Sequence, residues 1–336
     1  MKRMKRRTFI KTAAGAAVVP VVGCSQMSGA NVKAPQGTMP DRVLGKTGIR
    51  VSRLGFGSHL NEKLKKNPRL RDRMIKQGYE SGINIFDVYD HSNYKQFAPM
   101  SKSVRDFRKD IHISLCIVKK TSEVQNEIDS TLATFKTDYI DLYRLYDVDD
   151  DRVRIMERNR DAGNIRAIGV VSHSADDLLG YVERYRDTLD YIMLIYNFHH
   201  NMGRPKGGAG YEWNSYTALI PRCRELNLGI IGIKPMGSDD MIALARKKGL
   251  LKSDSRSITP AMLRYVFDAP EIHTTIPAMN NMDEVMSNLA VAYQPSITAE
   301  ERERLARLSR DADPLRGSYL RPHYRWLENW HSPELV

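Results

Sequence analysis

The sequence predicts an α/β fold, a (β/α)8 TIM barrel with an N-terminal β-hairpin cap. Eight short apolar runs alternate with eight amphipathic stretches over about 250 residues, which is the length such a barrel needs. The runs are largely apolar, as expected of parallel strands that helices cover on both faces. An open doubly wound sheet is the alternative, but it usually has fewer strands and a glycine-rich phosphate loop, and no complete loop of that kind occurs here.

The hairpin is predicted first, over 42–51. Gly45 and Gly48 stand between two short β-forming pieces, and glycine supplies the positive φ that tight turns require. We expect this hairpin to cover the bottom of the barrel, ahead of the first barrel strand.

The barrel elements follow in alternation. Strands are predicted at 51–57, 83–88, 111–118, 139–146, 166–171, 191–196, 229–234 and 272–277. Helices are predicted at 69–81, 98–108, 122–136, 151–162, 175–187, 214–227, 260–268 and 281–292. Apolar residues recur every three or four positions in each helix, for example Ile128, Leu132 and Phe135. The aspartates at 147 and 149–151 favour helix capping over a cation site, since Asp is stabilising in a first turn.

The first forty residues are predicted to be an export signal and a tether. Residues 1–23 begin with a basic region containing Arg6-Arg7, typical of twin-arginine export, and continue into an apolar run too short to span a bilayer. Val-Val-Gly-Cys resembles a lipobox, in which Cys24 would be acylated and hold the protein to a membrane; an ordinary cleavable leader is the alternative. Residues 24–40 would form a flexible tether. We therefore expect a periplasmic or membrane-anchored bacterial lipoprotein.

The net charge weakens the case for a nucleic-acid partner. The formal charge is +12, but residues 1–23 hold six basic residues and no acid. The remaining 313 residues have 46 basic and 40 acidic side chains, or +6, which is ordinary for that length. Three cysteines without a CxxC spacing exclude a cysteine-built zinc site or a disulfide scaffold.

Six segments carry motifs whose order along the chain is more specific than any one of them. They are the hairpin and following strand at 44–57, Gly-Ile-Asn-Ile-Phe-Asp at 82–87, Thr-Asp-Tyr-Ile-Asp-Leu-Tyr at 137–143, Gly-Asn-Ile-Arg-Ala-Ile-Gly-Val at 163–170, Gly-Ile-Ile-Gly-Ile-Lys-Pro-Met-Gly at 229–237, and Thr-Ile-Pro-Ala-Met at 275–279. Together they resemble the aldo-keto reductases over 41–311. That resemblance implies a (β/α)8 barrel and NADP(H)-dependent carbonyl reduction or alcohol oxidation.

The resemblance also implies a catalytic set. In the family a tyrosine protonates the carbonyl oxygen, a lysine paired with an aspartate lowers the pKa of that phenol from about 10, and a histidine orients the carbonyl. Asp87 matches the aspartate. The tyrosine position holds Ser92, flanked by Tyr89 and Tyr94. Tyr94 is the preferred donor, because the family's next helix then resumes at Gln96.

Two positions of the set are substituted. Cys116 stands where the lysine is expected and Tyr146 where the histidine is expected. The lysines at 119–120 are near the limit of reach from the strand end. Arg144 shares strand parity with Tyr146, so it would point toward Asp87. It would then act either as a permanent cation beside the phenol or as a structural partner of the aspartate.

Ten residues are implied as cofactor contacts for NADP or NAD. They are Ser172, His173, Tyr196, Lys234, Pro235, Met236, Gly237, Met279, Asn280 and Asn288. Ser172 and His173 would contact the nicotinamide amide, and Tyr196 would stack under the ring. Residues 234–237 would contact the pyrophosphate, and 278–288 would hold the adenosine end at a helix N-terminus.

Two departures bear on the cofactor. Met193 replaces a glutamine that contacts the amide in the family. Asn280 and Asn281 replace the basic residue that grips the 2′-phosphate, so the preference between NADP and NAD stays open.

Three further features are assigned by their residue types. The tail at 312–336 is rich in aromatic residues and would lie over the barrel mouth, against a sugar or other ring-bearing substrate or simply against the barrel. The glycine-rich segment 198–213 is predicted to be a long loop that shapes substrate access. His199-His200 within it favours a solvated loop over a metal site, and Cys223 is expected in a helix core.

The function predicted is hydride transfer between a nicotinamide cofactor and a small carbonyl or alcohol, a sugar being one such substrate. The alternative is a barrel that kept the fold and binds a small molecule or partner without hydride transfer. A metal-dependent hydrolase using Asp87, His173 and His199 is a third class, and the spacing of these residues does not support it.

Overall fold

The computed structural model describes residues 38–57, 64, 66–90, 95–117, 119–199, 214–237, 239–251 and 257–312, with the backbone alone for 214–217, 239–241 and 312. The predicted signal and most of the tether, including Cys24, lie outside these residues. So do Ser92, Tyr94, His200 and the aromatic tail after 312.

Eight parallel strands form the centre of the molecule, in the order in which they occur along the chain. They follow a two-stranded hairpin, β1 (Asp41–Val43) and β2 (Arg50–Ser52). The eight are β3 (Phe56–Gly57), β4 (Ile85–Tyr89), β5 (His112–Ile117), β6 (Ile140–Leu145), β7 (Ile165–Val171), β8 (Tyr191–Ile195), β9 (Gly229–Ile233) and β10 (Thr274–Ile276). Parallel bridges from Leu54 to Thr275 and from Gly57 to Ala278 join the first strand to the last. The sheet therefore closes, and the predicted barrel is confirmed.

Helices surround the sheet. They are α1 (Pro68–Glu80), α2 (Phe97–Val104), α3 (Val124–Phe135), α4 (Asp150–Asp161), α5 (Ala175–Arg184), α6 (Asn214–Glu225), α7 (Asp239–Lys247), α8 (Thr259–Asp268), α9 (Met282–Tyr293) and α10 (Ala299–Ala312). Short 3-10 turns cover Gly45–Thr47, Arg105–Asp110 and Thr121–Glu123. Asp149 caps α4 by accepting a hydrogen bond from Arg152 N at 2.8 Å, which confirms the capping interpretation. Within the described residues, no helix has the length and apolar character to cross a membrane.

The hairpin lies against the N-terminal end of β9, at the bottom of the barrel. Gly45 has φ +50°, and a Cβ there would come within 2.3 Å of Gly229 N, so only glycine fits. Leu44 beside it is fully buried. The hairpin therefore covers the barrel bottom as predicted.

The predicted strand 51–57 is wrong as one continuous element. Val51 and Ser52 complete the hairpin, and among the described residues it is Phe56 and Gly57 that pair with β4. Between them Gly55 N donates to Thr275 O at 2.8 Å. The chain passes here from the two-stranded hairpin sheet to the barrel sheet, so its apolar run does not form one strand.

Two helices, α7 and α10, were not predicted. The segment between β9 and β10 contains both α7 and α8, where one helix was expected. The α10 segment is mostly charged, and its buried apolar residues Leu305 and Leu308 pack against α7 and α8. Such a thin apolar stripe gives only a weak periodic signal.

The core has two layers around the sheet and a smaller cluster among α7, α8 and α10. The outer layer packs the helices onto the sheet. The inner layer fills the barrel and contains Leu44, Ile49, Val51, Ile85, Cys116, Leu142, Ala167, Val171, Tyr191, Met193, Ile231 and Ile276. Tyr89, Tyr146 and Ile233 pack on it and are partly exposed. Because barrel sites lie at the carboxyl ends of the strands, these partly exposed side chains mark the active face.

Candidate active site

A buried ion pair lies inside the barrel. Arg144 Nη1 donates to Asp87 Oδ1 at 2.6 Å, and Nη2 donates to Oδ2 at 3.1 Å. Ser114 Oγ donates to Asp87 Oδ1 at 2.6 Å and accepts from Arg144 Nη1 at 2.9 Å. Arg144 Nη1 also donates to Leu115 O at 3.2 Å. All four groups come from three adjacent strands, β4 to β6.

Strand register explains this convergence. Asp87 is paired with Ser114, and Cys116, two residues further on β5, is paired with Arg144. Side chains two apart on a strand share a face, so Ser114 and Cys116 both point inward. Arg144 points toward Asp87, as its strand parity predicts.

The pair is neutral as a whole and held away from solvent. Burial lowers the pKa of Arg144, but the Asp87 carboxylate outweighs it, so the net pKa lies above the ordinary value. The arginine side chain is 4% exposed and the aspartate 12%. A buried carboxylate is costly without a cation, and Arg144 supplies that cation.

Cys116 and Tyr146 differ in character from the residues they replace. Burial raises the pKa of the Cys116 thiol to about 12, so it is a neutral group at physiological pH. Burial also raises the pKa of the Tyr146 phenol. The Tyr146 ring lies 6.2 Å from the His173 ring, centroid to centroid, in a tilted arrangement. Tyr89, which is paired with Cys116, packs on the inner layer beside them.

His173 follows β7 at the rim. Burial lowers its pKa, and the positive charge of Lys234 lowers it further, so the imidazole is neutral. Its Nδ1 is buried and makes no hydrogen bond within the part of the chain that the structure describes. Ser172 Oγ accepts from Ser174 N at 3.0 Å and donates to Asp177 Oδ2 at 3.4 Å. Ser172 thus fixes the turn in which His173 lies.

The turn at 234–237 follows β9 on the same rim. Lys234 has φ +53°, an unusual conformation for a residue with a Cβ, and Gly237 has φ +78°. Gly237 N donates to Lys234 O at 3.0 Å, and Asn197 Nδ2 donates to the same oxygen at 3.4 Å. Strained backbone of this kind is concentrated at functional sites. Pro235 is buried in the turn, and Met236 packs on the core at its side.

Two predicted cofactor contacts do not join the site. Tyr196 packs in the outer layer, with its ring 6.3 Å from the Tyr265 ring and its hydroxyl donating to Glu271 at 3.4 Å. Met279 is 1% exposed and also belongs to the outer layer. Met193 points into the barrel, and Tyr196, just past the end of β8, packs in the outer layer; the stacking of Tyr196 under a nicotinamide stays a prediction.

The start of α9 is occupied by the protein's own groups. Asn281 Oδ1 accepts from Glu284 N at 2.8 Å and so caps the helix. The Glu284 carboxylate accepts from Asn280 N at 2.7 Å and from Asn281 Nδ2 at 2.8 Å. Asn288, one helical turn on, is buried. A negative charge therefore lies where the resemblance placed a phosphate.

Two residues that the sequence did not predict, Ser114 and Tyr191, complete the interior of the barrel. Ser114 bridges the ion pair, as described above. Tyr191 is fully buried, and its ring fills the space beside Gly169, where a Cβ would come within 2.3 Å of Cζ. The Tyr191 phenol lies close enough to Arg144 and Asp87 to feel both charges. A glycine inside a strand often marks such a close approach and was the available signal.

His199, in the 198–213 segment, makes a structural contact with α10. His199 Nδ1 lies 2.7 Å from Ser309 Oγ on α10 and the residue is 2% exposed. The expectation that it is solvated was wrong. No group of three or more His, Cys, Asp or Glu side chains is arranged for a metal ion among the described residues. Asp87 and His199 have separate partners, so the structure does not bring the hydrolase set together.

A closed barrel with ionisable and aromatic side chains at the carboxyl ends of its strands defines a (β/α)8 barrel protein with its site on that face. A model of the aldo/keto reductase family matches residues 53–310. The chain therefore belongs to the aldo-keto reductase family, a family of oxidoreductases that use NAD(P)H.

Individual relatives are distant. The chain is 20% identical to L-galactose dehydrogenase of Arabidopsis thaliana over 315 residues, covering 82% of this chain and 95% of the relative. It is 22% identical to the uncharacterised oxidoreductase YqkF of Bacillus subtilis, covering 78% and 94%. Among solved structures, aldo-keto reductase AKR11C1 from Bacillus halodurans in its holo form is similar with a TM-score of 0.64 at 22% identity, covering 80% and 96%. An aldo-keto reductase from Klebsiella pneumoniae in complex with NADPH has a TM-score of 0.63 at 18% identity, covering 80% and 94%.

Proposed function

We propose that this protein is a nicotinamide-dependent oxidoreductase that interconverts a small carbonyl compound and its alcohol. One observation carries the proposal: the buried Asp87–Arg144 pair lies on the inner face of the barrel, below the rim where Tyr89, Tyr146 and His173 gather. An ion pair held beneath a phenol is the arrangement that a proton donor in carbonyl reduction needs.

The rim residues fit a nicotinamide cofactor. His173 Nδ1 is a buried polar atom that no described group satisfies, and a carboxamide would pair with it. Lys234 supplies a positive charge beside it, suited to a pyrophosphate. Ser172, His173 and the turn 234–237 would hold the cofactor, while Asn280 and Asn288 would lie toward its adenosine end. A reduced nicotinamide, when bound, supplies the hydride that a carbonyl carbon accepts.

The preference between NAD and NADP follows from the start of α9. The Glu284 carboxylate occupies the helix N-terminus, and Asn280 and Asn281 carry no charge to offset a 2′-phosphate. We therefore propose that NAD(H) binds more tightly than NADP(H), although an NADPH complex is known for one similar structure.

The substrate class follows from the groups around the mouth. Tyr146 and His173 provide a tilted pair of rings on one side, and Ile233 provides apolar surface on another. A sugar presents both a ring face and hydroxyl groups, and so fits such a wall. The similarity to L-galactose dehydrogenase supports a sugar, at 20% identity.

Cofactor titration tests the proposal. Purified full-length protein is mixed with NADH and with NADPH while nicotinamide fluorescence is followed. We expect saturable binding that weakens at least about tenfold in His173→Ala, consistent with a lost buried hydrogen bond. Arg184→Gln, which alters an exposed ion pair with Asp150 on the outer helices, is the matched control. Absence of binding at millimolar NADH and NADPH would contradict the proposal.

A second function is favoured by a specific observation. Cys116 is a neutral thiol and Tyr146 a phenol where the family has a lysine and a histidine, which favours a barrel that binds a ligand without hydride transfer. Binding of a sugar or other small molecule without cofactor binding, measured by calorimetry, would support this alternative.

The location of the protein is a separate proposal. We propose that residues 1–23 direct twin-arginine export and that Cys24 is acylated, leaving the barrel on a tether at a bacterial membrane. Growth of the native bacterium with a labelled fatty acid should label the wild type and not Cys24→Ser. Replacing Arg6 and Arg7 by lysine should retain the protein in the cytoplasm. Label on Cys24→Ser, or normal export of the lysine variant, would contradict these assignments.

A further inference from the structure

We propose that the catalytic cation of this barrel has moved from β5 to β6: Arg144 takes the role that a lysine at position 116 would have, and Tyr89 is the proton donor it serves. This inference rests on the proposed oxidoreductase function and adds a residue-level assignment to it. It makes Arg144 a positioning residue, since it acts through the phenol.

Strand register places the two positions side by side. Cys116 is the direct β-ladder partner of Arg144 on one side and of Tyr89 on the other. Neighbouring strands are about 4.8 Å apart, so a cation on β6 reaches the space that a side chain on β5 would fill. Cys116 is small, buried and neutral, and so leaves that space to the guanidinium. Cys116 thus leaves room on β5, and Arg144 supplies the positive charge from β6 instead.

The guanidinium is fixed at this place by three strands. Asp87 holds both of its terminal nitrogens, at 2.6 and 3.1 Å, and Ser114 Oγ and Leu115 O accept from Nη1. Tyr191, lying beside Gly169, fills the barrel next to it. A charge held in this way is preorganised and does not need to move during reaction.

Tyr89 and Tyr191 are each two ladder steps from Arg144, and of these two phenols Tyr191 is fully buried whereas Tyr89 reaches the rim. Tyr89 lies two residues after Asp87 on β4, so both side chains point into the barrel. Asp87 is buried below, whereas Tyr89 is partly exposed at the rim, where a substrate can reach it. Asp87, Tyr89 and Arg144 therefore give a phenol, a cation and a carboxylate within three neighbouring strands.

The proposed reaction is the reduction of a carbonyl group, with Tyr89 as the acid. The Tyr89 O–H bond breaks and its proton forms a new O–H bond on the former carbonyl oxygen, while the carbon accepts a hydride from the reduced nicotinamide. Arg144 stabilises the phenolate that remains, and solvent returns the proton. Because a guanidinium stays protonated at any working pH, its charge persists on the alkaline side, where a lysine ammonium would be lost.

A phenol titration tests the assignment without cofactor or substrate. Full-length protein carrying ring-13C tyrosine is titrated by NMR, and Tyr89→Phe identifies the Tyr89 signal. We expect the Tyr89 phenol to titrate at least about one pH unit higher in Arg144→Leu than in the wild type. The exchange variant Cys116→Lys/Arg144→Leu should restore the wild-type titration, and it also keeps a cation beside Asp87 if Arg144→Leu alone fails to fold. Identical Tyr89 titration in the wild type, Arg144→Leu and the exchange variant would overturn the assignment.

Activity supplies the second arm once a carbonyl substrate is found. Tyr89→Phe and Arg144→Leu should each lower kcat at least about 100-fold, and the exchange variant should recover at least about tenfold, with a new loss of rate at alkaline pH from its lysine. Arg184→Leu, an exposed position, is the matched control. Full activity in Tyr89→Phe together with loss in Tyr94→Phe would overturn the inference but leave the proposed function intact. Absence of turnover in the wild type would count against the proposed function, while the NMR arm still decides the assignment.

Discussion

At the scale of single residues, the ion pair inside the barrel is the feature on which most else depends. A change in one member affects the others, because Asp87, Ser114 and Arg144 hydrogen-bond to one another in a largely buried space. Asp87→Asn would leave Arg144 with a buried charge and no counter-ion, at a cost of about 3–5 kcal/mol in the free energy of unfolding. Ser114→Ala should cost about 1–3 kcal/mol by removing one bridge. Urea unfolding measures both, and an Asp87→Asn protein as stable as the wild type would show that the pair is not buried as described.

We propose that a single residue also decides cofactor choice. Glu284→Gln removes the negative charge at the start of α9 but keeps the side-chain oxygen that accepts from Asn280 N. We expect NADPH to bind several-fold more tightly in Glu284→Gln and NADH binding to stay unchanged, since only NADPH carries the 2′-phosphate. Parallel fluorescence titrations check this. Equal gains for both cofactors would indicate that the 2′-phosphate does not approach Glu284.

At the scale of elements, α3 carries a titratable group behind β6. Glu127 on α3 accepts a hydrogen bond from Tyr143 on β6 at 3.1 Å. Burial raises its pKa to about 7, above an ordinary value of 4.5. The folded protein thus holds a proton that the unfolded chain releases, so stability falls as pH rises from about 4.5 through 7.

Glu127→Gln removes this pH dependence. The variant should match the wild type below about pH 4.5, gain on it through pH 7 and be more stable by up to about 3 kcal/mol above that. Urea unfolding of both proteins between pH 4 and pH 9 provides the comparison. A constant difference across that range would mean that Glu127 titrates alike in the folded protein and in the unfolded chain, so that burial does not raise its pKa.

The packing of β7 against β8 is tested by two glycines. A Cβ on Gly169 would lie 2.3 Å from the ring of Tyr191, whereas a Cβ on Gly180 in α5 meets nothing within 4 Å. Gly169→Ala should therefore destabilise by about 1–3 kcal/mol, and Gly180→Ala should stabilise by about 0.5–1 kcal/mol. Thermal unfolding distinguishes them, and equal behaviour of the two variants would be incompatible with the Tyr191 ring lying beside Gly169.

Hydrophobic periodicity was enough to predict most helices and strands. It failed where one apolar run contributes to two sheets. β4 to β9 lie within two residues of the predicted strands, because each is a single apolar run between turn signals. Residues 51–57 were misjudged since the run joins the hairpin to the barrel. α10 was missed because most of its residues are charged and its buried Leu305 and Leu308 pack against α7 and α8.

At the scale of the whole molecule, the barrel explains how residues far apart in sequence form one site. Asp87 and Arg144 were brought together by reasoning on strand parity, and their contact was predictable for that reason. Ser114 was not predicted, since nothing in a lone serine signals a bridge. Tyr196 was assigned from its motif alone, and a motif does not show that the ring packs with Tyr265 in the outer layer.

We propose that this barrel transfers hydride between a nicotinamide and a small carbonyl compound. The most direct measurement is a single turnover of full-length protein with a panel of sugar and simple carbonyl substrates and NADH deuterated on one face of the ring or the other. We expect the former carbonyl carbon to receive deuterium from one face of the nicotinamide ring only. Product without deuterium from either label, or no product despite bound NADH, would contradict it.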